Sequence, residues 1–348
     1  MSANETRRGG TLAVIIPAYN AASTLNRCLA AITSSARRPD EVILFDDGST
    51  DETPAIARSY GVRVLTNEGS PLGPAVGRNR AARASSCDIV VFIDADVIIH
   101  NDTLGLLEEA IVSDPSVAAA FGSYDRSPPA TRLSAFYINL RHHYFHQNSG
   151  TEAVTFWSGI GAVRRDAFLA VGGFDERYAL PSIEDIHLGG SLRSRGAHIR
   201  VVPQAQGAHC KDWTLIQAWE TDIFKRAIPW AIVMASGYGE KGGLNASKRE
   251  QILAALAHSV WIFGACAFFN IWFGAAALVS AFAYFWANRS FLKLLADVGG
   301  ARLAISGALL HWCYHLYASV IYGTILMASR LGLTLEEPYK TASARNAS

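Results

Sequence analysis

The sequence predicts an α/β chain, a mostly parallel sheet flanked by helices and followed by a C-terminal region of membrane-crossing helices. Three observations carry this expectation. Between Thr11 and Val97 the short apolar runs LAVII, EVILF and DIVVFI each end in polar or Gly/Pro residues. The stretches between them suit helix, and that alternation builds a parallel sheet. Charged residues make up 18% of the chain, below the roughly 25% of soluble domains, and the deficit falls in the last third. From Gln251 to Asn288 there is no Asp, Glu, Lys or Arg.

Taken in order, residues 11–100 supply the strand ends PAYN, DDGSTDET and DAD. Ligands of open parallel sheets bind beyond the carboxyl ends of the strands, so these segments are expected to meet in one crevice. Residues 101–210 begin with a helix from Thr103 to Val112, for which Asp102 is the expected N-cap. A Pro-rich turn at Ser127 to Pro129 and the aromatic, His-rich segment AFYINLRHHYFHQ come next. A helix opening near Ser182 and running through LGGSLRSRG is expected to stop at Gly196. IRVVPQA reads as the last strand.

As one helix, residues 251–288 would run on the order of 57 Å, nearly twice the hydrocarbon core of a bilayer. Two spans, 251–269 and 271–288, with a tight turn near Asn270 are expected instead. A second uncharged stretch, 303–329, is long enough for a third. Lys248 and Arg249 before the first span, and Arg289, Lys293 and Arg302 between the second and third, mark cytosolic sides under the positive-inside rule. Residues 1–240 are thereby expected in the cytosol, and the chain in the cytoplasmic membrane as a multi-pass protein. The polar N-terminus MSANETRRGG and the short run Leu12 to Ile16 lack the core of a signal peptide. Trp261, Trp286 and Trp312 suit interfacial belts; the competing reading is a set of buried core helices. In residues 211–240, DIFKRAIPW suits a membrane-surface helix. Lys225 and Arg226 would face lipid phosphates, and Trp219, Ile228 and Trp230 would dip inward.

A formal net charge of +1 without a long basic run argues against nucleic acid as a partner. Cys28, Cys87, Cys210, Cys266 and Cys313 show no CxxC spacing. They indicate neither a disulfide framework nor a structural zinc, and they fit a reducing cytosol.

Asp94 and Asp96 follow a buried strand as acidic-x-acidic, a spacing that lets both side chains face a hard cation; alone, the pattern is also that of an ordinary turn. Asp46 and Asp47 end another strand and read equally as a turn capping the next helix. Glu184 and Asp185, read by themselves, are an acidic first helical turn complementing the helix dipole. Arg141, His142, His143 and His146 lack carboxylate support and read as a polar helix face rather than a metal site. His258, His311 and His315 fall inside the expected spans, where polar residues face a bundle interior or a functional cavity.

Together, VIIPAYN, VILFDDGSTDET, GRNRAA, VVFIDADV, AVRRDAFLAVGGFDE and IEDIHLGGSLRSRG resemble, in that order, the inverting family-two glycosyltransferases, membrane-anchored bacterial type. The resemblance implies the GT-A fold, Rossmann-like, over residues 1–240, with a donor half at 11–100 and an acceptor half at 101–210. It implies that Pro17, Ala18 and Tyr19 line the nucleotide pocket, that Asp46 and Asp47 contact base and ribose, and that Arg78 lies near the donor. Asp94 and Asp96 become ribose and metal-diphosphate ligands for Mg²⁺ or Mn²⁺. Asp185 becomes the base that takes the acceptor's proton, with Glu184 positioning the acceptor. His209 follows the last strand where some relatives place a third metal ligand; a structural histidine is the equal alternative. Lys211 is placed to neutralise diphosphate, and DIFKRAIPW loosely resembles a stretch that caps it, recruiting Arg226 and Trp230. Gly159 to Gly161 would let backbone approach acceptor or sugar, and Trp157 is a stacking wall or simple core packing.

The implied partners are a nucleotide-diphosphate sugar of UDP or GDP type, a lipid or lipid-linked hydroxyl acceptor such as a glycolipid, and the membrane. A polyprenyl-phosphate sugar synthase is the runner-up, disfavoured by the intact Glu184–Asp185 pair because a phosphate needs no base. A catalytically silent nucleotide-sugar-binding membrane subunit is the reading from another class. The acids retained at 46, 47, 94, 96 and 185 argue against it, since they would crowd negative charge without a cation. A sugar nucleotidyltransferase would need a Gly-rich phosphate loop that PAYNAAST does not supply.

Overall fold

The computed structural model describes residues 10–235, 247–333 and 335. The N-terminal residues 1–9 and residues 236–240 of the expected interfacial segment lie outside them. The chain divides into two compact units, one holding the residues up to Asp125 with His146–Cys210, the other Arg126–Phe145 with Lys211–Pro338.

The first unit runs β1 (Leu12–Ala18), α1 (Ala22–Ser34), β2 (Glu41–Asp46), α2 (Thr53–Ser59), β3 (Arg63–Thr66), α3 (Pro74–Ala84), β4 (Ile89–Ile93) and β5 (Val97–Ile99). It continues with α4 (Thr103–Val112) and β6 (Val117–Tyr124). After α5 (Leu133–Gln147), whose residues through Phe145 belong to the second unit, come β7 (Ile160–Arg164), α6 (Arg165–Ala170), α7 (Glu184–Ser194) and β8 (His198–His209). The strands form one sheet in the order β3-β2-β1-β4-β7-β6-β8-β5. β3, β2, β1 and β4 run parallel, as the alternating runs predict. Beyond β4 the sheet is mixed, with β7 antiparallel to both β4 and β6 and β8 parallel to β6. Ala18 lies opposite Asp46 and Ile15 opposite Phe92, so PAYN, DDGS and DAD leave the sheet at one end.

The apolar runs fold as strands because both faces are covered: every residue of LAVII and of IVVFI is buried. Leu25, Cys28, Leu29 and Ile32 recur at helical spacing on α1 and pack into the same core. β3 escapes sequence reading because its four residues, RVLT, sit partly exposed on the edge strand and carry no long apolar run. Asp102 stands at the N-cap of α4 but its side chain makes no capping hydrogen bond. Thr103 Oγ1 instead donates to the Gln206 carbonyl at 2.6 Å and ties the helix start to β8. Glu184 opens α7, two residues later than expected, and Gly196 follows that helix at φ +79°.

The second unit is helical: the start of α5, α8 (Leu215–Asp222), a π-helical turn (Ile223–Ala227), α9 (Ile228–Ala235), α10 (Lys248–Cys266), α11 (Ile271–Ala287) and α12 (Arg289–Arg330). Thr214 and Gln217 form a reciprocal capping box at α8, and Asn270 caps α11 through its side chain. The charged stretch after α11 is helical rather than a loop, because Phe291 and Leu295 are buried one turn apart while Lys293 pairs with Asp297 at 2.8 Å. Gly299 and Gly300 then break α12, Gly300 at φ +66°. Among the described residues one helix, Arg289–Arg330, is by itself long and apolar enough to cross a membrane. Phe268, Phe269, Ile271, Trp272 and Leu278, around the α10–α11 turn, are exposed by 74% or more. Apolar exposure on that scale needs a non-aqueous neighbour.

Candidate active site

Two of the acids singled out in the sequence, Asp94 and Glu184, are held by one cation. Arg78, inside α3 and 4% exposed, donates from Nη2 to Asp94 Oδ1 at 2.7 Å and from Nη1 to Glu184 Oε1 at 3.0 Å. It thereby ties the end of β4 to the start of α7, a contact between residues 106 apart in the chain. Its ring-facing side lies over Phe174 at 5.3 Å. Burial opposes the guanidinium charge, but Asp94 and Glu184 outweigh it and hold its pKa above the ordinary value. The second oxygen of Glu184 accepts from the Ser182 amide at 2.8 Å. Arg78 and Glu184 are thus internal braces, with neither fork nor carboxylate displayed to solvent.

Asp185 has a different environment. Its oxygens accept from the Ile186 amide at 2.8 Å and, more loosely, from the Ser158 amide at 3.4 Å. Burial and the neighbouring Glu184 charge push its pKa up to about 7, with Arg78 and the two amides pulling the other way. A carboxyl half-buried beside a brace and titrating near neutrality has the property a general base needs.

At the end of β8, His209 Nε2 stands 3.4 Å from Asp96 Oδ2. The ring is 5% exposed and stacks on Tyr124 at 4.4 Å and 3° between planes. Adjacent ligand atoms on an octahedral cation with about 2.1 Å bonds lie roughly 3 Å apart, so this carboxylate and imidazole fit two neighbouring positions of a divalent ion. Among the described residues no group of three or more His, Cys, Asp or Glu that could hold a metal ion is present.

Trp157 meets Tyr124 edge-on at 4.7 Å and His146 at 4.7 Å, so the wall expected for a sugar is also a packed member of this aromatic group. Gly159 and Gly161 make room for that packing. A Cβ on Gly159 would lie 2.6 Å from the Trp157 ring, and one on Gly161 would lie 2.3 Å from the Trp157 carbonyl and 2.5 Å from Phe156.

At the end of β2, Asp47 holds the segment after β3. Its oxygens accept from the Asn67 side chain at 3.0 Å, the Leu72 amide at 2.9 Å and the Gly73 amide at 2.8 Å. Asp46 accepts from the Ser49 amide at 3.1 Å. Pro17 and Ala18 end β1, and Tyr19 is 52% exposed beyond them. Arg226 belongs to the second unit, where it donates to His142, and Lys211 there faces the Trp213 ring at 5.3 Å. His311, His315 and His258 bond to Tyr137, Glu250 and Ser319 within that unit. Sequence reasoning missed Tyr124; the signal present was an aromatic closing the buried run VAAAFGSY immediately before Asp125.

Residues 13–172 match the profile of "Glycosyl transferase family 2". The chain is 29% identical over 245 residues to the O-antigen chain rhamnosyltransferase WbaN of Salmonella anatum, covering 66% of this chain and 76% of that protein. It is 32% identical over 235 residues to the N-acetylglucosaminyl-diphospho-decaprenol L-rhamnosyltransferase of Mycobacterium tuberculosis, covering 58% of this chain and 76% of that one. The mannosyltransferase PcManGT of Pyrobaculum calidifontis, solved with GDP-Man and Mn²⁺, aligns over 93% of this chain and 86% of its own at 22% identity, with a TM-score of 0.48. A family profile over residues 13–172, and 32% identity across three-quarters of the Mycobacterium enzyme, fix the assignment: this chain belongs to glycosyl transferase family 2 and is a glycosyltransferase.

Proposed function

We propose that this glycosyltransferase moves a sugar, with inversion, from a nucleotide-diphosphate sugar to a hydroxyl of a lipid-linked acceptor. The observation that carries the reading is the placement of Asp185, held by the Ile186 and Ser158 amides next to the Arg78–Glu184 pair, where burial and the Glu184 charge push its pKa up. Asp185 takes the hydroxyl proton as the acceptor oxygen bonds the anomeric carbon, and the bond from that carbon to the diphosphate oxygen breaks on the opposite face. The nucleoside diphosphate leaves with the electron pair. A phosphate acceptor would need no base, so a carboxyl tuned to neutrality supports a hydroxyl. Asp96 and His209 would hold a divalent cation, which supplies neutralisation of the leaving diphosphate. Asp94 stays partly exposed for the donor while Arg78 fixes it, and Asp46 and Asp47 shape the pocket edge at the end of β2.

The names of the Salmonella and Mycobacterium relatives support rhamnose as the sugar and a diphosphate-linked lipid as the acceptor carrier. The exposed apolar residues of α10 and α11 support a three-crossing anchor built from 251–269, 271–288 and 303–329, with the sheet unit in the cytosol. The test uses the detergent-purified protein with nucleotide sugars that include rhamnose donors, Mn²⁺, Mg²⁺ or EDTA, and lipid extract. Metal-dependent, lipid-stimulated release of nucleoside diphosphate, lost in Asp96→Ala and Asp185→Ala, is expected. Donor binding without turnover across a broad acceptor set, or a product keeping the donor's anomeric configuration, would overturn the reading.

A further inference from the structure

The segment from Asn67 to Gly73 joins β3 to α3 without strand or helix of its own, yet one buried carboxylate fixes it in place. Asp47, 5% exposed, stands just past the end of β2, and its amide donates to the Ala18 carbonyl of β1 at 2.9 Å. Its Oδ1 accepts from Asn67 Nδ2 at 3.0 Å and from the Leu72 amide at 2.9 Å. Its Oδ2 accepts from the Leu72 amide at 2.9 Å and from the Gly73 amide at 2.8 Å. A carboxylate has about four acceptor positions, so these contacts within the sheet unit use all of them.

Close packing seats the same segment independently. A Cβ on Gly48, at φ +80°, would stand 2.9 Å from the Gly69 carbonyl oxygen. A Cβ on Gly73, at φ +93°, would stand 2.4 Å from the Ala179 carbonyl oxygen. The Asn67 amide donates to the Asp46 carbonyl at 2.8 Å, and Asn67 Nδ2 also donates to the Ser70 carbonyl at 2.9 Å. Glu68, Gly69, Ser70 and Pro71 remain exposed. A loop at the carboxyl end of parallel strands, fixed in backbone and exposed at its tip, is where such folds place ligand recognition.

We propose that residues 67–73 form a rim that reads the base of the donor nucleotide, and that Asp47 is the positioning residue holding it. This rests on the nucleotide-sugar donor proposed above, and it gives Asp47 a role other than the direct contact with base or ribose that the family resemblance implies. Glu68 supplies the reading group. A carboxylate only accepts hydrogen bonds, so it favours a base with a ring N–H on its pairing edge: uracil, thymine or guanine, against cytosine or adenine.

The test measures binding of UDP, CDP, GDP, ADP, 2′-deoxyUDP and inorganic diphosphate to the full chain in detergent with Mn²⁺, by calorimetry. Wild type is expected to prefer UDP over CDP or GDP over ADP. Asp47→Asn turns an N–H toward the Leu72 and Gly73 amides, and Asn67→Ala removes a donor to the same carboxylate. Each is expected to reduce that preference on the order of tenfold, as for loss of one hydrogen bond to a charged group, with diphosphate binding unchanged. The double variant should match the stronger single one, because both act through one segment. Glu68→Gln, at an exposed position outside the Asp47 contacts, should lose the preference at an unchanged melting temperature, which separates reading from folding. Loss of the distinction between UDP and 2′-deoxyUDP in Asp47→Asn but not in Asn67→Ala would make Asp47 a direct ribose ligand. An unchanged preference in Glu68→Gln, or equal binding of the bases by wild type, would mean that the rim does not read the base. Each of these results overturns the proposal while nucleotide binding persists; a wild type that binds none of the nucleotides would instead overturn the donor reading.

Discussion

Removing the guanidinium of Arg78 tests how the site is held together. Arg78→Met leaves Glu184, with a side chain 5% exposed, and Asp94 facing each other without a cation. Breaking a buried pair by deleting one partner costs about 3 to 5 kcal/mol, which at roughly 2 to 4 °C per kcal/mol for a domain of this size lowers the melting temperature by about 10 °C. Glu184→Gln removes the other partner, and the double variant should recover part of the loss, giving a coupling of about 1 to 3 kcal/mol. Arg78→Lys keeps the charge but replaces two forked contacts by one ammonium, so it should sit between wild type and Met. Because Arg78 also lowers the Asp185 pKa, surviving Arg78→Met enzyme should show its activity rise shifted above pH 7. Thermal unfolding and the pH dependence of nucleoside diphosphate release read both effects. A melting temperature within 2 °C of wild type, with additive single and double variants, would refute the brace.

Asp185 acts only when deprotonated, so turnover at saturating substrate should fall as pH drops through about 7. Asp185→Asn should abolish that limb and cost on the order of a hundredfold or more in rate. The raised folded pKa contributes stability that is complete at low pH and lost as pH rises through about 7. Asp185→Asn should therefore be at least as stable as wild type at pH 8; a variant clearly less stable there would contradict the assignment. Tyr124→Leu deletes the ring stacked on His209 and should weaken Mn²⁺ binding, followed by electron paramagnetic resonance, by about tenfold. Tyr124→Phe keeps the stack and should bind as wild type; equal loss in both would point to the hydroxyl instead. Gly161→Ala places a methyl 2.3 Å from the Trp157 carbonyl and should cost about 1 to 3 kcal/mol in a urea titration. An unchanged midpoint would mean the Trp157 turn relaxes freely.

Much of the architecture is legible in residue order because it rests on local patterns. Buried parallel strands need continuous apolar runs, so LAVII, EVILF and IVVFI declared themselves, and the strand ends followed from them. The edge strand β3 did not, since an exposed edge imposes no such run. The break at Gly299–Gly300 was equally hidden, because two glycines are compatible with a loop, a bend or a helix. Asp102 has the residue type of a cap, yet a nearby hydroxyl–carbonyl contact anchors α4 in its place.

Within the site, residue type and motif order named the acids, but not what each one touches. The sequence by itself determined the alternation of strand and helix, the uncharged stretches 251–288 and 303–329 and the positions of Asp94, Asp96, Glu184 and Asp185. Only the tertiary structure decided that Arg78 braces two of those acids, that burial and a neighbouring charge lift Asp185 toward neutrality, and that Tyr124 flanks His209. Apolar periodicity is set by neighbours along the chain, whereas ion pairing and desolvation depend on distances between residues far apart in it.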